Sequence, residues 1–288
     1  MTDPHFIVSG ELREIRPGRL TSIRHAPGAP DADLTIFLCH GAGGNKNQWR
    51  HVWLALEAAG HRLVAWDCYG HGESPQPRRS SAYAGAALVA DYRAVFDIYA
   101  TDRNLLVGHS YGTRLTLAVL DGLSAEGKLD QIAGALLLGP PPPSVRLIGG
   151  PMKYLPAFVL EWLRPRLAEG FRKLAWHPDC DRALIEYEDA ATERNSLFMM
   201  QALMTQAVQL DPARLAALDL PVTILAGVAD RLTPPAGARQ LAEALPQAQF
   251  HLIERSGHQI MLEQPAAVLN FISGTIVCAN NNGRATPD

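Results

Sequence analysis

The chain has 288 residues, of which 47% are hydrophobic and 19% are charged. This composition supports an ordinary buried core and excludes an intrinsically disordered, collagen-like or coiled-coil protein. With 26 basic against 29 acidic residues, a net charge of −3 and no basic block, the sequence predicts no nucleic-acid binding. No apolar run reaches the roughly 20 residues that span a bilayer, and the first residues are polar and acidic rather than signal-like. We therefore expect a soluble cytoplasmic protein without an integral membrane segment.

Short apolar runs alternate with helical patterns along most of the chain. This alternation predicts an α/β fold with a mostly parallel, doubly wound sheet and helices on both of its faces. The first 25 residues predict an antiparallel edge hairpin that turns at Pro17 and Gly18. The predicted strands then follow at 34–38, 62–66, 105–107, 132–138, 222–226 and 249–253. Each of the first three of these strands is followed by a predicted helix, at 48–59, 83–99 and 113–123 respectively.

The alternation stops between the four prolines at 140–143 and Pro221. A proline run cannot continue a strand ladder, because proline lacks the N–H donor and fixes φ. The stretch that follows is rich in Leu, Met, Trp and Arg and has a helical pattern. We predict a discontinuous core of residues 1–143 and 213–279, a helical lid insertion at 144–212, and a disordered tail at 280–288.

Cofactor signatures are missing from the sequence. The four cysteines include no C-x-x-C pair, which favours reduced thiols over disulfides or a zinc site. The glycines at 41–44 lack the G-x-G-x-x-G spacing of a dinucleotide fold, and neither a P-loop nor an H-E-x-x-H motif occurs. The sequence therefore predicts no metal and no cofactor.

The sequence around Ser110, Gly-His-Ser-Tyr-Gly, lies between a short apolar strand and a helix. A strand that turns abruptly into a helix holds its turn residue in a strained conformation, and small residues two positions away allow the close approach. Such a turn presents the serine hydroxyl at the edge of the sheet, near the positive end of the helix. The alternative is a serine that caps the helix between two turn glycines.

Through this motif and the segments below, the chain resembles the α/β-hydrolase superfamily from about residue 20 to residue 275. It is most similar to the lid-bearing esterases and lipases of that superfamily. The resemblance implies a nucleophilic Ser110. Dehalogenases and epoxide hydrolases of similar fold carry a carboxylate at the elbow, so a serine there argues against both activities.

We look for the base that activates the serine, and for the acid that orients this base, on the loops that follow later strands. His258 follows the last predicted strand, and Asp230 directly follows the strand before it. The order Ser110, Asp230, His258 is the order of the superfamily triad. Its other acid position, after the strand at 132–138, holds Gly139 here. Asp67 also ends a strand, but it belongs to a segment that the superfamily uses structurally.

An oxyanion hole needs two preorganised N–H donors. We expect one from the amide of Tyr111, directly after the nucleophile. The superfamily pattern places the second directly after His-Gly, which makes Ala42 the candidate and Gly43 the reserve. His40 and His109 are interpreted as structural.

The predicted function is hydrolysis of a small-molecule carboxylic ester with an apolar acyl or alcohol part. Candidate substrate-binding residues are Trp49, Leu232 and Met261, with Trp162, Phe198, Met199 and Met200 from the lid. Thioester, amide or carbon–carbon bond hydrolysis and acyl transfer use the same triad and stay open. A membrane-peripheral lipase, which predicts an exposed apolar lid face, and a non-catalytic ligand-binding protein are further alternatives. A homodimer is left open.

Overall fold

The computed structural model describes residues 7–143 and 155–282. Eight strands in this part of the chain form one sheet in the order β1-β2-β4-β3-β5-β6-β7-β8. They are β1 Glu11–Arg16, β2 Arg19–Ala26, β3 Leu34–Cys39, β4 Arg62–Trp66, β5 Arg103–His109, β6 Ile132–Leu138, β7 Val222–Gly227 and β8 Ala248–Ile253. The β1–β2 and β2–β4 pairs are antiparallel, and β4, β3, β5, β6, β7 and β8 run parallel. The predicted fold class and the edge hairpin are confirmed.

The helices of the described residues are α1 Arg50–Ala58, α2 Gly85–Tyr99, α3 Tyr111–Ala125, α4 Ala157–Ala175, α5 Arg182–Thr192, α6 Leu197–Thr205, α7 Pro212–Leu215, α8 Pro235–Glu243, α9 Ile260–Glu263 and α10 Pro265–Asn282. Short 3-10 turns precede α1 and α2, at Lys46–Trp49 and Ser80–Tyr83. None of these helices is long and apolar enough to cross a membrane, as far as the described residues extend.

The core has two layers, one on each face of the sheet. Side chains along a strand alternate between the faces. In β3, Phe37 therefore packs with α2 and α3, whereas Ile36 and Leu38 pack with α1 and α10. All three are completely buried, and each such side chain contributes about 1.5 to 3 kcal/mol to stability. This burial on both faces is why the strands are continuous apolar runs.

The segment between β6 and β7 contains α4 to α7 and no strand among its described residues. It includes most of the predicted lid insertion at 144–212, while residues 144–154 lie outside the described residues. The predicted tail at 280–288 begins within α10, and its last part, 283–288, also lies outside them.

Candidate active site

The turn from β5 into α3 holds Ser110 in a left-handed conformation, with φ 52° and ψ −118°. Only one other non-glycine residue of the described chain, Arg255, has a positive φ. A Cβ on Gly112 would lie 2.6 Å from the carbonyl oxygens of Cys39 and His40, so only glycine fits there. The turn is thus strained and close-packed, as the motif predicts, and the Ser110 side chain stays partly accessible.

Asp230 and His258 meet at the carboxyl edge of the sheet. His258 Nδ1 lies 2.8 Å from Asp230 Oδ2, and both side chains are almost completely buried. Asp230 Oδ1 accepts the amides of Leu232 and Thr233, at 2.9 and 2.8 Å. These bonds fix the orientation of the carboxylate. With Nδ1 donating to Asp230, Nε2 is left as the proton acceptor.

Thr233 was not predicted as a site residue. Its hydroxyl lies 2.8 Å from Asp230 Oδ2, 2.9 Å from His258 Nδ1 and 3.0 Å from the carbonyl oxygen of Gly139. It therefore joins the loop after β6 to the acid and the histidine. Its place three residues after Asp230 and directly before a proline is the sequence signal that could have drawn attention to it.

His109 connects the turn that carries Ser110 to the loop that carries His258. Its Nε2 lies 2.9 Å from the carbonyl oxygen of His258, and the two rings lie 4.7 Å apart between centroids. Burial is the main reason that the pKa of His109 lies well below its usual value, and the neighbouring His258 lowers this pKa further. The His109 ring is therefore neutral. The residue directly before Ser110 thus contacts His258, although no hydrogen bond joins the side chains of Ser110 and His258 in the described part of the chain. Catalytic hydrogen bonds commonly close only when substrate binds.

The loop that follows β3, residues 40–45, contains the candidate oxyanion donors and is named the oxyanion loop. It packs directly on the turn that carries Ser110. A Cβ on Gly41 would lie 2.8 Å from Ser110 Cβ. The Gly43 amide donates to His71 Nε2 at 3.0 Å, so the reserve oxyanion donor is already engaged. Neither the Ala42 nor the Tyr111 amide donates to an acceptor within the described residues. The geometry therefore favours Ala42 over Gly43.

Ion pairs of the buried Lys46 side chain support the loop that follows β3. Lys46 Nζ lies 2.8 Å from Asp67 Oδ2 and 2.6 Å from Glu73 Oε2. Asp67 also accepts the amides of Lys46 and Glu73, both at 2.8 Å. Every oxygen of Asp67 is thus engaged within the loop scaffold, which agrees with its structural interpretation. His40 also makes a structural contact between loops, because its Nε2 accepts a hydrogen bond from the Cys68 amide at 2.9 Å.

The candidate substrate-binding residues lie in different environments. Trp49 and Met261 are completely buried in the layer that contains α1 and α10, so packing accounts for both side chains in this structure. Leu232 is only partly buried and packs at the edge of that layer. Met200 of α6 lies over the oxyanion loop, with its sulfur 3.4 Å from the position of a Cβ on Gly43. Met200 is therefore better placed than Trp49 or Met261 to contact a substrate.

No group of three His, Cys, Asp or Glu side chains suited to a metal ion occurs within residues 7–143 and 155–282. The four cysteines are free thiols. Cys39 and Cys68 are buried and Cys278 is exposed.

Comparison with known proteins identifies the family. Residues 36–271 match the family model described as the alpha/beta hydrolase family. The chain belongs to this family. Protein ABHD8 of Mus musculus is 32% identical over 255 residues, covering 87% of this chain and 56% of that protein, and human ABHD8 is 30% identical over 262 residues with the same coverage. The chain thus spans about half the length of these relatives.

Solved structures of two esterases have a similar fold. The esterase RhEst1 from Rhodococcus sp. ECU1013 superposes with a TM-score of 0.77 at 24% identity, over 93% of this chain and 98% of that one. An esterase from Thermogutta terrifontis gives a TM-score of 0.74 at 22% identity, over 95% and 97% of the two chains. These likenesses agree with the α/β-hydrolase resemblance drawn from the sequence.

Burial of neutral histidines predicts an acid sensitivity of this protein. Burial lowers the pKa of His71 from 6.5 to about 3. Between these values the unfolded state binds more protons than the folded state, so stability falls as the pH falls from about 6.5 towards 3. We expect the free energy of unfolding to drop by about 2 to 3 kcal/mol between pH 7 and pH 4.5 on account of His71 alone.

Urea denaturation at the two pH values measures this loss. His71→Gln keeps an acceptor near the position of Nε2 for the Gly43 amide and does not titrate, so the stability of this variant is expected to depend less on pH. His109, whose pKa is shifted in the same direction, contributes part of the pH dependence in both proteins. Equal slopes for His71→Gln and the natural sequence would refute the assignment to His71.

Proposed function

We propose that the protein is a serine hydrolase that cleaves a carboxylic ester through an acyl-enzyme intermediate. The observation that carries the proposal is the convergence of three loops at one edge of the sheet. These loops hold a strained Ser110 directly after His109, whose ring packs against the ring of His258, and they contain a buried hydrogen bond from His258 to Asp230. Nucleophile, base and orienting acid are the three groups that acyl transfer from a serine requires.

In the proposed mechanism, Ser110 Oγ attacks the ester carbonyl carbon while His258 Nε2 accepts the hydroxyl proton. Asp230 holds the imidazole tautomer and stabilises the imidazolium. The amides of Ala42 and Tyr111 donate to the oxyanion of the tetrahedral intermediate. His258 then protonates the leaving alcohol, and a water that it deprotonates releases the acid and restores Ser110. No step needs a metal or a cofactor.

The substrate proposed is a small ester with an apolar acyl or alcohol part. Two side chains of α6 support this choice: Phe198 packs against Tyr83, and Met200 lies over Gly43. Met199, between them, is completely buried in the core. On α4, Phe158 and Trp162 are 75% and 74% exposed, which favours a membrane-peripheral lipase as the second candidate. A cytoplasmic location and a lid role for the insertion at 144–212 belong to the same proposal.

Rapid-quench mass spectrometry tests the proposal. Mixing the protein with excess p-nitrophenyl butyrate is expected to release p-nitrophenol in a burst and to add one butyryl group, on the peptide that contains Ser110. The corresponding thioester tests for thioester hydrolysis, and the corresponding anilide tests for amide hydrolysis. An ester above its micellar concentration tests for the membrane-peripheral lipase. A protein that releases nitrophenol without ever carrying the acyl group would contradict the mechanism.

A further inference from the structure

The turn between α5 and α6 places Asn195 against the oxyanion loop. Its carboxamide nitrogen donates to the carbonyl oxygens of Gly43, at 2.5 Å, and Gly44, at 3.4 Å. Its carboxamide oxygen accepts the amide of Gly72 at 3.3 Å. Only 5% of the residue is exposed. A side chain of the segment between β6 and β7 thus contacts two loops of the core.

These contacts restrain the peptide groups that follow the candidate oxyanion donor. His71 accepts the N–H of the Ala42–Gly43 peptide, and Asn195 donates to the C=O of the Gly43–Gly44 peptide. Gly43 has a φ of 77°, in a region that glycine enters and leaves easily. Without both contacts, rotation at Gly43 would reorient the peptides on either side of it and remove their restraint on Ala42, whose own amide is one peptide earlier along the chain. Preorganisation of that amide is what an oxyanion hole requires.

The turn is itself firmly anchored to the chain that follows the loop. Arg50 Nη1 and Glu188 Oε1 form a buried ion pair at 2.5 Å, with 3% and 5% of their side chains exposed. Asn47 Nδ2 donates to the Tyr187 hydroxyl at 2.9 Å. Removing one partner of a buried pair leaves a buried charge without compensation. Moving α5 away from the core would therefore break this ion pair and this hydrogen bond, at a large cost in free energy.

We propose that Asn195 is a positioning residue that holds the Ala42 amide in its catalytic direction. The inference rests on the proposed function. It also implies that α5 and the turn after it stay in place throughout the reaction, as a permanent wall of the active site. Any movement of the insertion is then confined to other parts of it.

Asn195→Asp tests the inference with almost no change of shape. The substituted carboxylate oxygen faces the Gly43 and Gly44 carbonyl oxygens and repels them. We expect kcat for an ester to fall by about 30- to 100-fold, somewhat less than the loss of a whole oxyanion donor, with KM changed less than about 3-fold. The affinity for an alkyl boronic acid, which forms a tetrahedral adduct with the serine, is expected to fall in parallel with kcat.

Asn104 provides a matched control. It is completely buried, donates to the carbonyl oxygens of Thr101 and Gln131 at 2.7 and 3.1 Å, and accepts the Thr101 amide at 3.0 Å. It lies in β5 near the amino end of the strand, the end away from Ser110. Asn104→Asp is expected to lower Tm as Asn195→Asp does, but to leave kcat within about 2-fold for the folded fraction.

The outcomes separate this inference from the function on which it rests. An ester-inactive natural protein would overturn the proposed function and this inference together. An active natural protein with kcat within about 3-fold in Asn195→Asp, or with equal kcat losses in both Asp variants, would overturn the inference alone. If Asn195→Asp does not fold, Asn195→Ala against Asn104→Ala makes the same comparison without the added charge.

Discussion

Replacing Ser110 by alanine is expected to lower kcat/KM for the best ester substrate by about 10⁴-fold or more. The variant loses the atom that forms the acyl bond in the proposed mechanism, while the strained turn and its glycines stay as they are. Steady-state hydrolysis and thermal unfolding of the same preparation measure the two effects. We expect Tm to change little, because the partly exposed hydroxyl makes no hydrogen bond within the described residues.

Ser124→Ala is the control for this substitution, because it makes the same change at the other end of α3. It is expected to keep full activity. Retention of more than about a tenth of the activity in folded Ser110→Ala would contradict the assignment of the nucleophile.

The second large effect is expected for Asp230→Asn, with a fall in kcat of about 10³- to 10⁴-fold. The carboxylate accepts the Nδ1 proton of His258 at 2.8 Å, whereas an amide nitrogen in its place would donate and favour the opposite tautomer. His258 Nε2 would then carry the proton and could not accept one from Ser110. Hydrolysis rates from pH 5 to pH 9 measure the loss.

Asp211→Asn provides a closely matched control for Asp230→Asn. Asp211 Oδ1 accepts the amide two residues ahead at 2.9 Å, as Asp230 Oδ1 does, but it caps α7 on the exposed surface. We expect this variant to keep kcat within about 2-fold and to lose about 1 kcal/mol of stability at most. Similar kcat losses in both variants would refute a catalytic role for Asp230.

Local patterns were sufficient to predict most of the fold. Completely buried parallel strands are continuous apolar runs, and Gly60 marks the end of the first helix, so the positions of strands and helices along the chain could be inferred. β5 is longer than the predicted strand at 105–107 because it begins with the polar residues Arg103 and Asn104 and continues through Gly108 to His109. Asn104 is accommodated there by its own hydrogen bonds to turn carbonyls, which no apolar pattern reveals.

The candidate triad was predictable for a topological reason. Parallel strands direct their carboxyl ends to one edge, so residues that follow β5, β7 and β8 are brought together whatever their separation in sequence. Asp230 and His258 are indeed hydrogen-bonded in the structure. The roles of Ser110, Asp230 and His258 in catalysis stay a prediction until they are measured.

Residues that act through long-range contacts were not predictable. Asn195 lies 152 residues from Gly43 in the chain, within a segment whose helical pattern carries no sign of which side chains face the core. The assignment of Trp49 and Met261 as substrate contacts stays a prediction, and both side chains are completely buried here, because aromatic and methionine residues near a site motif also serve as packing residues. Only the tertiary structure separates the two.

Labelling with a fluorophosphonate probe, followed by peptide mapping, tests the central claim most directly. The account predicts one adduct, on Ser110, that is lost in Ser110→Ala and forms much more slowly in Asp230→Asn. Folded protein that stays unlabelled, or that is labelled on a different residue, would contradict an activated serine at the turn between β5 and α3.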